Sequence, residues 1–340
     1  MTRKTIPETG QSADALLSTM EDFRAGDVKW REGRTFGYVF DAGREIEDVA
    51  KRAFTMFMSE NALDPTQFPS LLRFENDVVQ MALSHLNAPE GASGNFTSGG
   101  TESILMACKA ARDRFRARNP RVDGPPQMIL PVTAHAAFHK AAHFLGLEVV
   151  PTTVHPETFE ADPDAVREAV GPRTALIVGS ATSYAHGVVD PIEALGAIAQ
   201  DNDVLLHVDA CIGGFLLPYF RRLGDDIPPF DFSVPGVTSM SMDYHKYAYC
   251  PKGASVVLYR DKDLRRHAIF GCARWTGYSV INTTMQSTKS GGPLAAAWAV
   301  LGFVGDSGYM EIARGLREAT QRVVEGIGRI DGLRVLGDPK

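Results

Sequence analysis

Apolar positions follow two rhythms along this chain. A period near 3.6 predicts helices over residues 46–58 and 74–86, and a shorter amphipathic run at Leu16, Leu17, Met20 and Phe23. A turn-rich stretch, Asn87-Ala-Pro-Glu-Gly-Ala-Ser-Gly94, closes this part of the chain. Beyond Gly100, Ile104, Leu105, Cys108, Ala111 and Phe115 mark one helix face that stops at Asn119-Pro120. Short apolar runs then alternate with helical segments. Strands are predicted at 128–132, 147–150, 175–179, 204–209 and 254–259, with helices at 136–145, 162–170 and 192–201 between them. Ile312, Leu316, Ala319, Val323 and Ile327 stay in phase along a long amphipathic helix, and Gly332-Leu-Arg-Val-Leu-Gly337 reads as a final strand.

Strands alternating with helices of this length predict an α/β fold with three layers: a mostly parallel sheet with helices on both faces. Composition narrows the class further. With 35 Lys+Arg against 41 Asp+Glu the net charge is −6, which argues against a dedicated nucleic-acid binder. Apolar residues make up 44% and charged residues 22%, so the chain can bury a sizeable core. The longest apolar uncharged run, Ser290 to Gly305, has 16 residues with four glycines and a proline, shorter than the roughly 20 residues a membrane span needs. No apolar stretch near the amino terminus resembles a secretory signal. Cys108, Cys211, Cys250 and Cys272 show no C-x-x-C or zinc spacing. A reduced, cytoplasmic setting without a transmembrane anchor is therefore expected.

Three segments carry candidate chemistry. Leu205-Leu-His-Val-Asp-Ala-Cys-Ile-Gly-Gly214 ends an apolar strand in Asp209, and ligands of open α/β sheets gather outside strand carboxyl ends. Such an aspartate also serves simply to cap the following turn. Asp243-Tyr-His-Lys-Tyr-Ala-Tyr249 sets Lys246 among three aromatic residues and beside His245. Desolvation and a neighbouring cation would depress its pKa and make the amine a nucleophile towards carbonyls. Gly94-Asn-Phe-Thr-Ser-Gly-Gly-Thr-Glu-Ser103 is a Gly/Ser/Thr loop opening a helix, the setting of an anion cradle without Walker or dinucleotide spacing. A fourth pattern, His135, His139 and His143 at i, i+4 and i+8, puts its outer pair about 12 Å apart on a helix. That is too far to share one ion, so no metal site is expected.

Taken together, these segments resemble the pyridoxal-phosphate enzymes of fold type I, the aspartate aminotransferase fold. Within it they look most like the sphingosine-1-phosphate lyase branch of the group II decarboxylase superfamily. The resemblance runs in order through Thr97-Ser-Gly-Gly-Thr-Glu-Ser103, Ala134-His-Ala-Ala-Phe138 and His186-Gly-Val-Val-Asp-Pro191, then His207-Val-Asp-Ala-Cys211, Pro235-Gly-Val-Thr-Ser239 and His245-Lys-Tyr-Ala-Tyr-Cys-Pro-Lys-Gly253. It implies that Lys246 carries pyridoxal 5'-phosphate as a Schiff base and that Asp209 pairs with the ring nitrogen. His135 would stack on the ring. Ser98, Gly99, Gly100 and Thr101 would hold the phosphate with His245 nearby. Ser290 and Gly291 would reach the site of a partner subunit in a homodimer. The implied reaction is retro-aldol cleavage of a phosphorylated amino alcohol, such as a phosphorylated sphingoid base, to an aldehyde and phosphoethanolamine. His186 is then the candidate acid/base, and Lys252, Lys289 and Tyr249 are substrate-side candidates.

Two segments depart from the branch. Ser287-Thr-Lys-Ser-Gly-Gly292 has Lys289 and Ser290 where an Arg-Pro pair is usual, and a lysine lacks the planar fork of arginine. Trp275-Thr-Gly-Tyr-Ser-Val-Ile-Asn-Thr283 also differs from the expected Tyr-x-Ser-Pro-Thr form. Both bear on the substrate rather than the cofactor. An amino-acid decarboxylase on the same scaffold and an inactive pyridoxal-phosphate-fold protein are the alternatives. The resemblance further divides the chain into an N-terminal segment, 1–45, a large cofactor domain, 46–308, and the start of a small C-terminal domain, 309–340, expected to be truncated.

Overall fold

A computed structural model describes residues 4–64 and 66–340. The chain divides into two units, Met1–Asp41 and Ala42–Lys340. The first unit contains α1 (Ala13–Arg24), capped by the Ser12 hydroxyl, which accepts from the Ala15 N–H at 3.3 Å. No residue of α1 is buried, so its apolar stripe is exposed.

The second unit opens with α2 (Arg44–Met56) and α3 (Pro69–His85), then β1 (Ser93–Thr97) and α4 (Gly100–Arg118). The alternation expected from the apolar pattern follows: β2 (Gln127–Pro131), α5 (Ala137–Leu145), β3 (Glu148–Thr152), α6 (Pro163–Ala169), β4 (Thr174–Ser180), α7 (Ile192–Asp201) and β5 (Leu205–Asp209). Then come α8 (Gly213–Arg222), β6 (Val237–Asp243), β7 (Ser255–Tyr259), α9 (Lys262–Arg265), a small hairpin of β8 (Phe270–Cys272) and β9 (Val280–Asn282), and α10 (Gly292–Gly328). Seven strands form one sheet in the order β1-β7-β6-β5-β4-β2-β3. The neighbours from β6 to β3 are parallel, and β7 runs antiparallel to both β1 and β6.

Two buried clusters account for the three layers. Met128, Leu130, Leu176, Val178, Val257 and Tyr259 face one way, onto α4 and α5. Ile129, Ile177, Leu206, Met240, Val256 and Leu258 face the other way, onto the helices of the opposite layer. Successive strand residues alternate faces, yet both faces are covered, so these strands read as continuous apolar runs rather than alternating ones. All seven residues of β4 and all five of β5 are buried. Each fully buried aliphatic side chain contributes about 1.5–3 kcal/mol.

Two features differ from expectation. α10 bends at Gly305, whose φ of 63° and ψ of 171° break the helix into two arms. The terminal run Gly332–Gly337 forms no strand among the described residues: it pairs with neither sheet edge, and Leu333 and Leu336 are exposed. A strand needs a partner for its backbone groups, and alternation alone does not supply one.

Candidate active site

The parallel strands β4, β5 and β6 end side by side, and their last residues are Ser180, Asp209 and Asp243. A cavity of about 380 Å³ opens at these carboxyl ends, against the amino terminus of α4. This is where a doubly wound sheet leaves room for a ligand. Among its lining residues are Ser98, Gly99, Gly100, Thr101, Asp209, Asp243, His245, Lys246 and His135.

The floor is built from small polar groups. Asp209 Oδ1 accepts from the Cys211 N–H at 3.1 Å and from the Ser241 hydroxyl at 3.3 Å. Beneath it, His207 is fully buried, with Nδ1 2.9 Å from Ser239 Oγ and Nε2 3.3 Å from Ser241 Oγ. Burial pushes the His207 pKa down to about 4, so a neutral imidazole sits under the carboxylate. A chain of hydroxyls fixes the start of α4. Thr97 Oγ1 lies 2.6 Å from Ser103 Oγ, which lies 2.9 Å from Ser255 Oγ, and Ser255 in turn donates to the Met242 carbonyl at 3.1 Å.

Gly100 shows why the loop lacks side chains. A Cβ there would lie 2.7 Å from Cys211 Sγ and 3.1 Å from both Asp243 oxygens. The bare turn leaves the first N–H groups of α4 facing the cavity, where an anion is favoured by free donors and the helix dipole. Two further polar atoms are buried without a hydrogen-bond partner among the described residues: Asp243 Oδ1 and His245 Nδ1. A cofactor with an anionic group and a reactive carbonyl suits this donor set and the adjacent amine.

Lys246 stands on the β6–β7 connection, which is firmly anchored. The His245 N–H donates to the Ala254 carbonyl at 3.0 Å, the Cys250 N–H to Tyr244 at 3.1 Å, and the Tyr309 hydroxyl to the Ala248 carbonyl at 2.9 Å. The expected environment of Lys246 needs correction. Tyr244 turns away, its hydroxyl donating to the Val78 carbonyl, and Tyr249 packs against the main core. The nearest charged neighbour is an anion: Asp243 Oδ2 lies 3.0 Å from Nζ. Burial favours the neutral amine, but Asp243, with Asp209 behind it, outweighs it, and the pKa of Lys246 is raised rather than depressed.

The other candidates are spread out. His135 lines the cavity just before α5, its Nδ1 accepting from the Ala137 N–H at 3.1 Å and its ring edge-on to Tyr184. It therefore does not continue the helical face of His139 and His143. His186 lies outside the lining: its ring is stacked on Phe159 with centroids 4.4 Å apart. Lys252 Nζ donates to the His245 carbonyl at 2.9 Å. Lys289 and Ser290 line a smaller cavity of about 220 Å³ that shares Ser98 with the first. Ser290 Oγ donates to the Met58 carbonyl at 2.9 Å and the Gly291 N–H to Glu60 at 2.8 Å, so both are held by their own chain.

Sequence reasoning missed Asp243 and Glu102. Asp243 ends a strand and precedes the lysine by three residues, a position that β6 would have exposed had 237–243 been recognised as a strand. Glu102 is the acid of α4's first turn, and is 6% exposed.

The pyridoxal-dependent decarboxylase conserved domain matches residues 1–329. The chain is 40% identical to a sphingosine-1-phosphate lyase of Dictyostelium discoideum over 337 residues, covering 99% of this chain and 63% of that protein. A probable L-aspartate decarboxylase of Pyrococcus furiosus is 32% identical over 334 residues, covering 98% of this chain and 87% of that one. The solved sphingosine-1-phosphate lyase of Burkholderia pseudomallei superposes with a TM-score of 0.95 at 40% identity, covering 99% of this chain and 79% of that one. A Lactobacillus brevis glutamate decarboxylase shares the fold, with a TM-score of 0.86 at 19% identity, over 98% of this chain and 76% of that one. This chain thus spans less than two thirds of the length of the Dictyostelium lyase.

Proposed function

This chain belongs to the pyridoxal-dependent decarboxylase family, and from that premise we propose that it forms the cofactor-binding part of a carbon–carbon lyase. Its substrate would be a phosphorylated sphingoid base, cleaved by a retro-aldol reaction to an aldehyde and phosphoethanolamine. The observation that carries this reading is the similarity to sphingosine-1-phosphate lyases across 99% of the chain, which exceeds that to the decarboxylase.

Pyridoxal 5'-phosphate, when bound, supplies an electron sink for the pair left as a bond to the amine-bearing carbon breaks. In this proposal Lys246 Nζ provides the attachment point. Asp209, steadied by Cys211 and Ser241, would pair with the ring nitrogen and hold a proton on it. His135 would stack on the ring. Gly99, Gly100 and Thr101 offer backbone N–H groups to the phosphate, with His245 beside them. Asp243 keeps the unattached Lys246 amine protonated, so that Nζ can return a proton after cleavage. Lys289 presents a point charge to the substrate side. A homodimer in a cytoplasmic setting completes the proposal: none of the four cysteines is paired, which suits a reducing compartment.

The test is direct. Protein loaded with pyridoxal phosphate is given a phosphorylated sphingoid base and, separately, a panel of amino acids. Aldehyde release from the first supports the lyase; carbon dioxide from the second replaces it with a decarboxylase. Lys246→Ala should lose both turnover and the visible absorbance that borohydride bleaches in the parent protein.

A further inference from the structure

Glu102 joins two segments that the sequence treats separately. It belongs to the first turn of α4 and is nearly buried, at 6% exposure. One carboxylate oxygen, Oε2, accepts from the Ser98 N–H at 2.7 Å. The other, Oε1, accepts from the Gln286 N–H at 3.0 Å, across 184 residues of chain. Both are charge-assisted bonds, stronger than neutral ones.

Each end of this link matters. Ser98 opens the glycine turn that lines the main cavity and also borders the smaller one. Gln286 belongs to the segment leading to Lys289 and Ser290, which line that smaller cavity. The segment is pinned at both sides. Thr284, buried, donates to the Gln286 carbonyl at 3.0 Å. Lys289 donates its N–H to Asn61 Oδ1 at 3.2 Å and accepts from the Ala62 N–H at 2.8 Å. Met285 and Gln286 themselves are exposed, and the Glu102 bond ties this stretch to the start of α4.

We propose that Glu102 is a positioning residue that couples occupancy of the glycine turn by the cofactor to the placement of the segment at 284–290. It engages the Ser98 N–H and leaves the Gly100 and Thr101 N–H groups to the ligand. Any shift of the turn on binding is then transmitted through one rigid carboxylate to Gln286. This inference rests on the cofactor reading of the site, and extends it from Glu102, which lines the cofactor cavity, to the segment at 284–290, which does not.

The experiment measures cofactor affinity by absorbance, together with backbone hydrogen exchange at Ser98 and Gln286, with and without pyridoxal phosphate. In the parent protein the cofactor slows exchange at both amides. Glu102→Gln keeps the shape but offers one acceptor oxygen to two donors. It should weaken cofactor binding by about tenfold and abolish the effect of cofactor on Gln286. Gln286→Pro deletes the same hydrogen bond from the exposed end, so a Glu102 variant that misfolds leaves the test intact. It should also weaken cofactor binding, although residue 286 lies outside the cofactor cavity. Gln286→Pro with parental affinity, or exchange at 286 indifferent to cofactor in the parent protein, would overturn the coupling. A parent protein that takes up no cofactor would instead remove the reading of the site, and this inference with it.

Discussion

Asp243 Oδ2 stands 3.0 Å from Lys246 Nζ, at the end of β6 and three residues before the lysine. The pair sets the pH at which the amine becomes available. Lys246 is faced by the carboxylates of Asp243 and Asp209, by His245 and by the thiol of Cys211, which burial keeps protonated, with Lys252 beyond. Burial lowers its pKa, and the anions raise it further than burial lowers it. A raised pKa keeps the ammonium to higher pH, so capture of a carbonyl cofactor by the unloaded protein should slow on the acid side. Asp243→Asn removes the main attraction and moves this acid limb to lower pH. Rates of cofactor uptake followed by absorbance across pH read the shift. A limb that stays in place would show that Asp243 does not hold the proton.

The glycine turn makes a sharper prediction about space. In Gly100→Ala the new Cβ meets Cys211 Sγ at 2.7 Å. Overpacking of this kind costs about 1–3 kcal/mol, and here it is felt where the ligand's anion would sit. Cofactor affinity should fall by about tenfold or more, with circular dichroism unchanged. Cys211→Ala removes the sulfur, so the double variant should recover part of the affinity. Two strictly additive losses in titrations of the four proteins would refute a steric origin.

Much of the fold was legible because buried parallel strands leave an unmistakable trace. β2, β4 and β5 lie within a residue or two of their predicted bounds, since strands covered on both faces must be apolar throughout. β1 and β6 were missed for the same physical reason inverted. Ser93-Gly-Asn-Phe-Thr97 and Val237-Thr-Ser-Met-Ser-Met-Asp243 carry hydroxyls inward: Thr97 meets Ser103, Ser239 meets His207, and Ser241 donates to Asp209. Their polarity hides them from a hydrophobic pattern. Lys246, Asp209, His135 and the glycine turn could be named from order along the chain, and the cavity brings them together. The charge state of Lys246 could not, because Asp243 acts through a 3.0 Å contact that spacing alone does not fix. His186 shows the reverse: its motif is intact, but its ring lies on Phe159.

The bend in α10 rests on one residue. Gly305 adopts φ 63° and ψ 171°, a region open almost only to glycine. A Cβ at this position would meet nothing within 4 Å, so any cost of Gly305→Ala is conformational rather than steric. Urea unfolding should report a loss of about 1–3 kcal/mol. An alanine variant as stable as the parent would mean that the two arms of α10 straighten without penalty.

A last prediction concerns acid stability and isolates one buried group. His207 is fully buried and its pKa falls from 6.5 to about 4. Between those values the unfolded chain takes up a proton that the folded protein refuses, so folding stability must decrease as pH drops through this window. For a depression of this size the loss approaches about 3 kcal/mol by pH 4. Asp190 works against it. Burial raises its carboxyl pKa from 3.8 to about 6, so the folded protein binds that proton first and gains stability over nearly the same range. In the parent protein alone the two contributions oppose each other. The difference between the parent and His207→Gln cancels the Asp190 contribution and leaves the histidine's. A glutamine can still donate and accept near Ser239 and Ser241 but does not titrate. Urea midpoints of the two proteins at pH 7, 6, 5 and 4 should show the parent's relative stability declining steadily toward pH 4. A difference that holds constant with pH would mean that His207 takes up its proton within the folded protein, and that the imidazole beneath Asp209 is not kept neutral.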